Sequence, residues 1–177
     1  MPYNKKLAEL AIYIARKSAN DEKFGATKLN KILFFSDAYF YAKTGKTITQ
    51  EVYIKMQHGP VPKNMAEVKT KLEQDKDIVV ASVQVPNTLY TKHQIIPVRE
   101  PLLSEFSAEE ISVVDEVIEA LKEKNGTQLS EMSHNIGWMN ANMFEQISVA
   151  TIFFPKSFVP SQKEREHARE LSEKITA

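Results

Sequence analysis

The sequence feature that most constrains the fold is a segment from Thr27 to Lys43, whose apolar residues cover nearly every side of a predicted helix. Leu29, Ile32, Leu33 and Tyr39 share one face, and Phe34, Phe35, Ala38 and Tyr41 lie on the others. A helix that is apolar all round belongs inside a protein, so this helix should be the centre of the core. Thr27 is positioned to cap its start, and Gly45 suits the left-handed residue that follows a helix.

Helical patterns on both sides of this segment predict the elements that surround it. Leu7, Leu10, Ala11 and Ile14 recur at helical spacing near the N-terminus. A further helix is predicted over about Lys63 to Gln74. Ser107 and Glu110 match a capping box ahead of a strongly amphipathic segment, which predicts a helix running to Gly126.

Shorter helices are predicted towards the C-terminus. Thr127 is expected to start one of them, and Gly137 is expected to close it. Ser161 and Glu164 match a second capping box, which precedes a narrow apolar stripe. The stripe consists of Ala168, Leu171 and Ile175. We therefore predict one domain over residues 1–160 with an appended helix over 161–177, which could contact a partner, mediate self-association or pack back on its own domain.

The predicted strands are few and follow the apolar helix. Val52 to Met56 is predicted to be a short strand, and His58 to Pro62 an irregular turn, because its two prolines lack amide donors. Ile78 to Val85 and Leu89 to Ile96 are rich in β-branched residues and flank Pro86-Asn87-Thr88, the pattern of a hairpin. The expected fold is α+β, a mostly helical single domain with a small antiparallel sheet inserted after the second helix.

Composition excludes several classes of protein. Lys plus Arg equals Asp plus Glu at 23 each, so no summed charge attracts nucleic acid or an anionic membrane. The absence of cysteine excludes disulfides, thiolate metal sites and thiol catalysis, and it fits the cytoplasm. The longest apolar run, Leu10 to Ala15, is far shorter than the ~20 residues of a spanning helix, so we expect no membrane segment.

Catalytic and metal-site patterns are also missing from the sequence. The four histidines, His58, His93, His134 and His167, lie in different predicted elements and none pairs with another at a ligand spacing. Ser133 and His134 are neighbours on a predicted helix, so their side chains point about 100° apart and cannot form a nucleophile and its base. No Gly-x-Gly phosphate loop occurs. We therefore expect no enzyme activity, no metal and no cofactor.

Three motifs, taken in order, resemble one known family. They are Lys28-Leu29-Asn30-Lys31-Ile32-Leu33-Phe34-Phe35, Tyr53-Ile54-Lys55-Met56-Gln57-His58-Gly59-Pro60-Val61, and Leu129-Ser130-Glu131-Met132-Ser133-His134 followed by Trp138. Together they resemble the Panacea domain of SocA-like antitoxins, a family also found in phage-associated proteins, over roughly Leu7 to Trp138. Order and spacing make the resemblance specific.

The resemblance implies a set of motif residues that are structural or contact a partner. These are Lys28, Leu29, Lys31, Leu33, Met56, His58, Gly59, Pro60, Val61, Leu129, Ser130, His134 and Trp138. From the residues themselves we expect a structural role for the last two, with Trp138 packed over the helix from Leu129 to His134 and the imidazole hydrogen-bonded to backbone.

The resemblance also implies a function, namely neutralisation of a co-encoded protein toxin by direct binding. Alternatives are an adaptor that delivers a toxin to a protease, a DNA-binding regulator of its own operon and, with the least support, an uncharacterised enzyme. No basic helix-turn-helix is apparent, so we expect no nucleic-acid binding outside autoregulation.

Charge is uneven along the chain although it sums to zero. Residues 1–31 carry seven Lys or Arg, and residues 102–125 carry seven Asp or Glu. Two interpretations are open. Both segments could be solvated helix faces, or the basic segment could face an acidic partner or nucleic acid while the acidic helix shields a basic surface on an RNA-handling toxin.

Overall fold

The computed structural model describes residues 3–84, 91–157, 161–164, 166–167 and 170. Its helices are α1 (Lys5–Lys17), α2 (Ala26–Thr44), α3 (Met65–Gln74), α4 (Ala108–Leu121), α5 (Gly126–Ser133) and α6 (Ile136–Asn140). Its strands are β1 (Tyr53–Met56), β2 (Gly59–Pro62), β3 (Ile78–Gln84), β4 (Thr91–Pro97) and β5 (Gln146–Ile147). Short 3-10 turns cover Leu103–Glu105 and Val149–Phe153. The predicted α+β, mostly helical single domain is confirmed.

Helix α2 is the central element, as its composition predicted. Between residues 28 and 38 every residue except Asn30 is buried, and Leu33 is completely inaccessible to solvent. The prediction that the apolar residues on every side of this helix lie in the core is wrong for Tyr39 and Tyr41, which are 49% and 39% exposed. After Ala38 the only buried residue of the helix is Phe40, so its C-terminal part lies largely in solvent, where a tyrosine can keep its hydroxyl hydrated.

The two ends of α2 are formed differently. Gly45 is the residue after the helix, with φ of 73°, which confirms the prediction for the C-terminal end. At the other end the capping residue is Gly25, and it forms no side-chain cap, so the assignment of Thr27 as the cap is wrong. A Cβ on Gly25 would lie 3.3 Å from the His93 carbonyl oxygen. The β-hairpin therefore packs too closely on this end for a larger residue to fit easily.

Strands β1, β2 and β5 form one antiparallel sheet in the order β2-β1-β5. The predicted irregular turn over residues 58–62 is wrong from residue 59 onwards, because Gly59–Pro62 is a strand paired with β1. Pro60 lies opposite Lys55, and Pro62 lies opposite Tyr53. β2 is an edge strand, and an edge strand tolerates prolines because amides that face outwards need no ladder partner.

Strands β3 and β4 form the predicted hairpin as a separate two-stranded sheet. Ile78 on β3 and Ile95 on β4 insert into the core, which anchors the base of the hairpin. The predicted tip, Pro86-Asn87-Thr88, lies outside the described residues, as do the outer ends of the predicted strands. α3 begins at Met65, two residues later than the sequence suggested.

Side-chain caps define the helices that follow. The capping box of Ser107 and Glu110 is present at the start of α4, but the helix ends at Leu121, before Gly126. α5 begins at Gly126, one residue before the predicted start at Thr127, and is capped by Asn125. Gly137 does not close α5; it lies inside α6, which Asn135 caps.

The described residues near the C-terminus contain the predicted capping contacts. The amide of Glu164 donates to Ser161 Oγ at 3.3 Å, and the amide of Ser161 donates to Glu164 Oε2 at 2.7 Å. The apolar stripe Ala168, Leu171 and Ile175 falls outside the described residues, so the appended helix stays a prediction. No described helix is long and apolar enough to cross a membrane.

Candidate functional site

The three sequence motifs meet at one place, which we call the motif junction and define as Lys31, Gly59, Pro60 and Ser133. The Lys31 ammonium, on α2, donates to the Pro60 carbonyl oxygen at 3.0 Å. Gly59 has φ of 101°, and a Cβ built on it would lie 2.5 Å from Lys31 Nζ and also clash with the Ser133 hydroxyl. The junction therefore requires glycine at position 59 for its backbone angle and for lack of space.

Lys31 is 1% exposed, so it is a buried cation. Burial lowers the pKa of its ammonium to about 7, because the charged form loses its hydration. No described carboxylate forms an ion pair with it. A side chain enclosed in this way cannot contact a partner protein directly, and its role is to hold β2 against α2.

Lys28 is the second buried lysine of the first motif. Its Nζ donates to the carbonyl oxygens of Lys122 and Lys124 at 2.7 and 2.8 Å, and it forms an ion pair with Asp21 at 2.6 Å. These carbonyls follow α4, where a helix leaves acceptors unsatisfied and favours a cation. Lys28 therefore fixes the end of α4, which helps to explain why that helix stops short of Gly126.

His134 and Trp138 form a stacked pair, with ring centres 3.6 Å apart and planes 8° apart. Trp138 Nε1 donates to the Met56 carbonyl at 3.0 Å, and Lys55 Nζ lies 4.4 Å from the centre of the indole ring. This confirms that Trp138 packs on the end of α5. It also connects the second motif to the third through a half-buried tryptophan.

The hydrogen bonding of the His134 imidazole differs from the prediction. Its buried Nε2 atom has no hydrogen-bond partner among the described residues, so this atom does not form the predicted bond to backbone. Burial, and secondarily the nearby charge of Lys31, lowers the pKa of His134. The ring is therefore neutral near pH 7 and serves as a flat surface for the indole.

The remaining motif residues divide between core and surface. Leu29, Leu33 and Leu129 are in the core, and Ser130 is buried with its hydroxyl donating to the Gly126 carbonyl. Met56 and Val61 are half-buried, and His58 is exposed. Most of the motif residues are thus buried, and His58 is the one whose side chain is classed as exposed.

The junction is not arranged as a catalytic centre. The Ser133 hydroxyl is completely buried and donates to the Ser130 carbonyl at 2.9 Å, so it is not activated by a base. Among the described residues no group of three His, Asp or Glu side chains could hold a metal ion. The absence of a cofactor stays a prediction.

Sequence reasoning missed a buried carboxylate on α2. Asp37 is inaccessible to solvent and accepts hydrogen bonds from the Thr49 amide at 2.9 Å, from the Tyr53 hydroxyl at 2.8 Å and from the Thr49 hydroxyl. Burial raises the pKa of Asp37, and these hydrogen bonds oppose the shift. The cluster fastens the chain before β1 to α2. An acidic residue inside an otherwise apolar helix was its only signal in the sequence.

The uneven charges of the sequence largely neutralise each other. Ion pairs join α1 and the following loop to the region of α4: Lys5 to Glu105, Lys6 to Glu110, Lys17 to Asp115 and Lys23 to Glu123, at 2.6 to 3.3 Å. Glu116 and Glu119 pair with Lys43 and Lys122. Six of the seven acidic residues of segment 102–125 are thus engaged within the molecule. These pairs weaken the interpretation in which the acidic helix shields a toxin and the basic segment faces an acidic partner or nucleic acid.

Exposed apolar side chains are a more distinctive feature of the surface than its charges. Six of the exposed large hydrophobic residues lie between residues 132 and 154, and the exposed ring of Tyr39 makes an edge contact with one of them, Phe153, at 5.9 Å. We call this group the Met/Phe surface; it consists of Tyr39, Met132, Met139, Met143, Phe144, Phe153 and Phe154. Single exposed apolar residues are ordinary, but so many in one short segment are not.

A groove adjoins this surface between α2 and α4. Its volume is about 310 Å³, and its walls include Phe35, Val113 and Val117. Tyr39 and Met132 belong to both the groove and the Met/Phe surface. Two of the exposed side chains thus border an apolar groove, an arrangement that suits binding to another protein better than catalysis.

Comparison with known proteins agrees with the motifs. Residues 29–139 match the family described as "Antitoxin SocA-like, Panacea domain". A search of curated proteins found no match. The matched region spans more than half of the 177 residues and includes most of α2, both motif strands and the stacked His134 and Trp138. The chain therefore belongs to the SocA-like antitoxin family and carries its Panacea domain.

Proposed function

We propose that this protein is a cytoplasmic antitoxin that neutralises a co-encoded protein toxin by binding it directly, without enzymatic activity. The observation that carries the proposal is the Met/Phe surface, an exposed apolar area on a protein whose charged helices are paired with each other. Burial of apolar area is the dominant favourable contribution to most protein association.

The composition of this surface suits binding to partners of different shape. Met132, Met139 and Met143 are 41%, 52% and 48% exposed. Methionine side chains are unbranched and polarizable, so they can adapt to differently shaped partners. A surface of this kind can be reused for a new toxin with few substitutions.

The alternative functions have less support. A DNA-binding regulator would need free cations on one face, but Lys5, Lys6, Lys17 and Lys23 are all engaged in ion pairs. For an adaptor to a protease, and for an enzyme, no contact among the described residues offers specific support. Direct binding is therefore the function to test first.

The test is co-expression with each neighbouring reading frame. We expect one neighbour to arrest growth alone and to become harmless when this protein is present. Met139→Glu places a charge on the Met/Phe surface and should abolish the rescue, while the melting temperature stays within a few degrees of the wild type.

The matched control is Leu103→Glu. Leu103 is 51% exposed against 52% for Met139, but it lies in a different part of the chain. This variant should rescue growth as the wild type does. If neither neighbour is toxic, the antitoxin proposal is wrong; if both variants rescue equally, the Met/Phe surface is not the contact.

A further inference from the structure

The turn between α6 and β5 holds one residue of the Met/Phe surface in an unusual position. Phe144 has φ of 68°, in the left-handed region that bulky residues rarely occupy. Its side chain is 67% exposed, the largest value among the exposed large hydrophobic residues that the structure describes. Two costs therefore coincide at one residue, a strained backbone and a solvated aromatic ring.

The turn is held firmly despite its exposure. The amide of Phe144 donates to the Lys55 carbonyl at 2.9 Å, and the amide of Lys55 donates to the Glu145 carbonyl at 2.9 Å. These two bonds continue the pairing between β5 and β1 into the turn. The Glu145 carboxylate accepts from the Asn142 amide at 2.7 Å and from the Asn142 side chain at 3.0 Å. The ring is thus presented on a fixed backbone.

The backbone of this turn does not require a phenylalanine. Its ring takes part in no aromatic or cation–π contact among the described residues. Glycine would satisfy the same backbone angle without strain. The ring is therefore better explained by a contact outside this chain than by the stability of the domain.

We propose that Phe144 is the anchor residue of the toxin contact and inserts into a concave apolar pocket on the toxin, with Met139 and Met143 covering the rim. This inference rests on the proposed function and specifies which part of the Met/Phe surface carries the affinity. Anchors of protein interfaces are typically aromatic, central and already rigid before binding, because a preorganised side chain loses little freedom on docking. A convex, fixed ring fits a pocket and not a flat or charged surface.

The experiment measures binding of purified protein to the purified product of each neighbouring reading frame, together with the melting temperature. Phe144→Gly should weaken binding about tenfold or more while raising the melting temperature, because it removes the ring and relieves the strain. Phe144→Ala should weaken binding without this gain. A rise in stability with a loss of affinity is a signature that a purely structural residue would not produce.

The matched control is Lys76→Gly. Lys76 is also exposed and has φ of 61°, but it follows α3, in another part of the chain. This variant should raise the melting temperature in the same way and leave binding unchanged. It separates the relief of strain from the loss of the ring.

The remaining outcomes also decide the proposal. Unchanged affinity in both Phe144 variants, or no binding of either neighbouring product by the wild type, overturns it. A concentration-dependent dimer that only the Phe144 variants lose would assign the ring to a second copy of this chain, which also overturns it. Tight, Phe144-dependent binding without growth rescue would support the anchor while contradicting the antitoxin function.

Discussion

The Lys31 ammonium occupies the space that a side chain at Gly59 would need, and it donates to the carbonyl of the next residue, Pro60. Two neighbouring residues of an edge strand thus fit one residue of the central helix, Gly59 by its small size and Pro60 by its hydrogen bond. The helix residue lies 28 and 29 positions earlier in the sequence. This relationship turns the first two motifs into one structural unit, and it yields the first two predictions.

Gly59→Ala should destabilise the protein by about 2 to 4 kcal/mol, since it adds backbone strain to a clash with Lys31 and Ser133. Gly45→Ala is the control. Gly45 also has a positive φ, of 73°, but nothing lies within 4 Å of the added Cβ, so only strain of about 1 kcal/mol is expected. Chemical denaturation of both variants measures the difference; equal losses would mean that the junction is not tightly packed.

Lys31 should make stability depend on pH. Burial lowers the pKa of Lys31 from its ordinary 10.5 to about 7, so between these values the unfolded chain binds more protons than the folded one. The free energy of unfolding therefore rises as pH increases from about 7 to about 10.5. Lys31→Met removes the ionisable group and should reduce this rise. Parallel slopes for the two proteins in denaturation series would contradict a depressed pKa.

Trp138→Ala should lower the free energy of unfolding by about 2 to 3 kcal/mol, less than for a fully buried tryptophan, because the ring is half-buried. The variant loses the stacking on His134 and the hydrogen bond to the Met56 carbonyl. Trp138→Phe keeps a stacked ring and should cost about 1 kcal/mol through the missing N–H group. If both variants melt as the wild type does but fail to bind the toxin, Trp138 is a contact residue.

Leu33→Asp should prevent folding, because it places an unpaired carboxylate at a completely buried position in the core. Tyr41→Asp changes the same helix at a position that is 39% exposed and should fold normally. Circular dichroism and melting curves distinguish the two variants. A cooperative transition in Leu33→Asp would show that α2 is not central.

Several features of the fold could be read directly from the chain. The helical spacing of Leu7 to Ile14, the Ser107 and Glu110 capping box and the left-handed Gly45 all involve residues within about four positions of one another. Such patterns depend on local geometry, so they can be recognised without knowledge of distant contacts. The family resemblance was equally accessible, because it depends on the order of the motifs.

The errors occurred where distant segments meet. Gly25 replaces the expected cap because the hairpin lies against it. The opposite charges of residues 1–31 and 102–125 suggested an external partner, but they face each other in the fold. Each outcome depends on contacts that no local pattern encodes.

The sequence by itself determined that α2 is the central helix and that the chain belongs to a family of antitoxins, because composition and motif order can be read without knowing which residues are in contact. Only the tertiary structure decided that Lys28 and Lys31 are buried, that Asp37 fastens β1 to α2, and that Phe144 stands exposed on a strained turn. Burial and pairing are set by residues far away in the chain, so a lysine or a phenylalanine has no fixed role until the chain is packed.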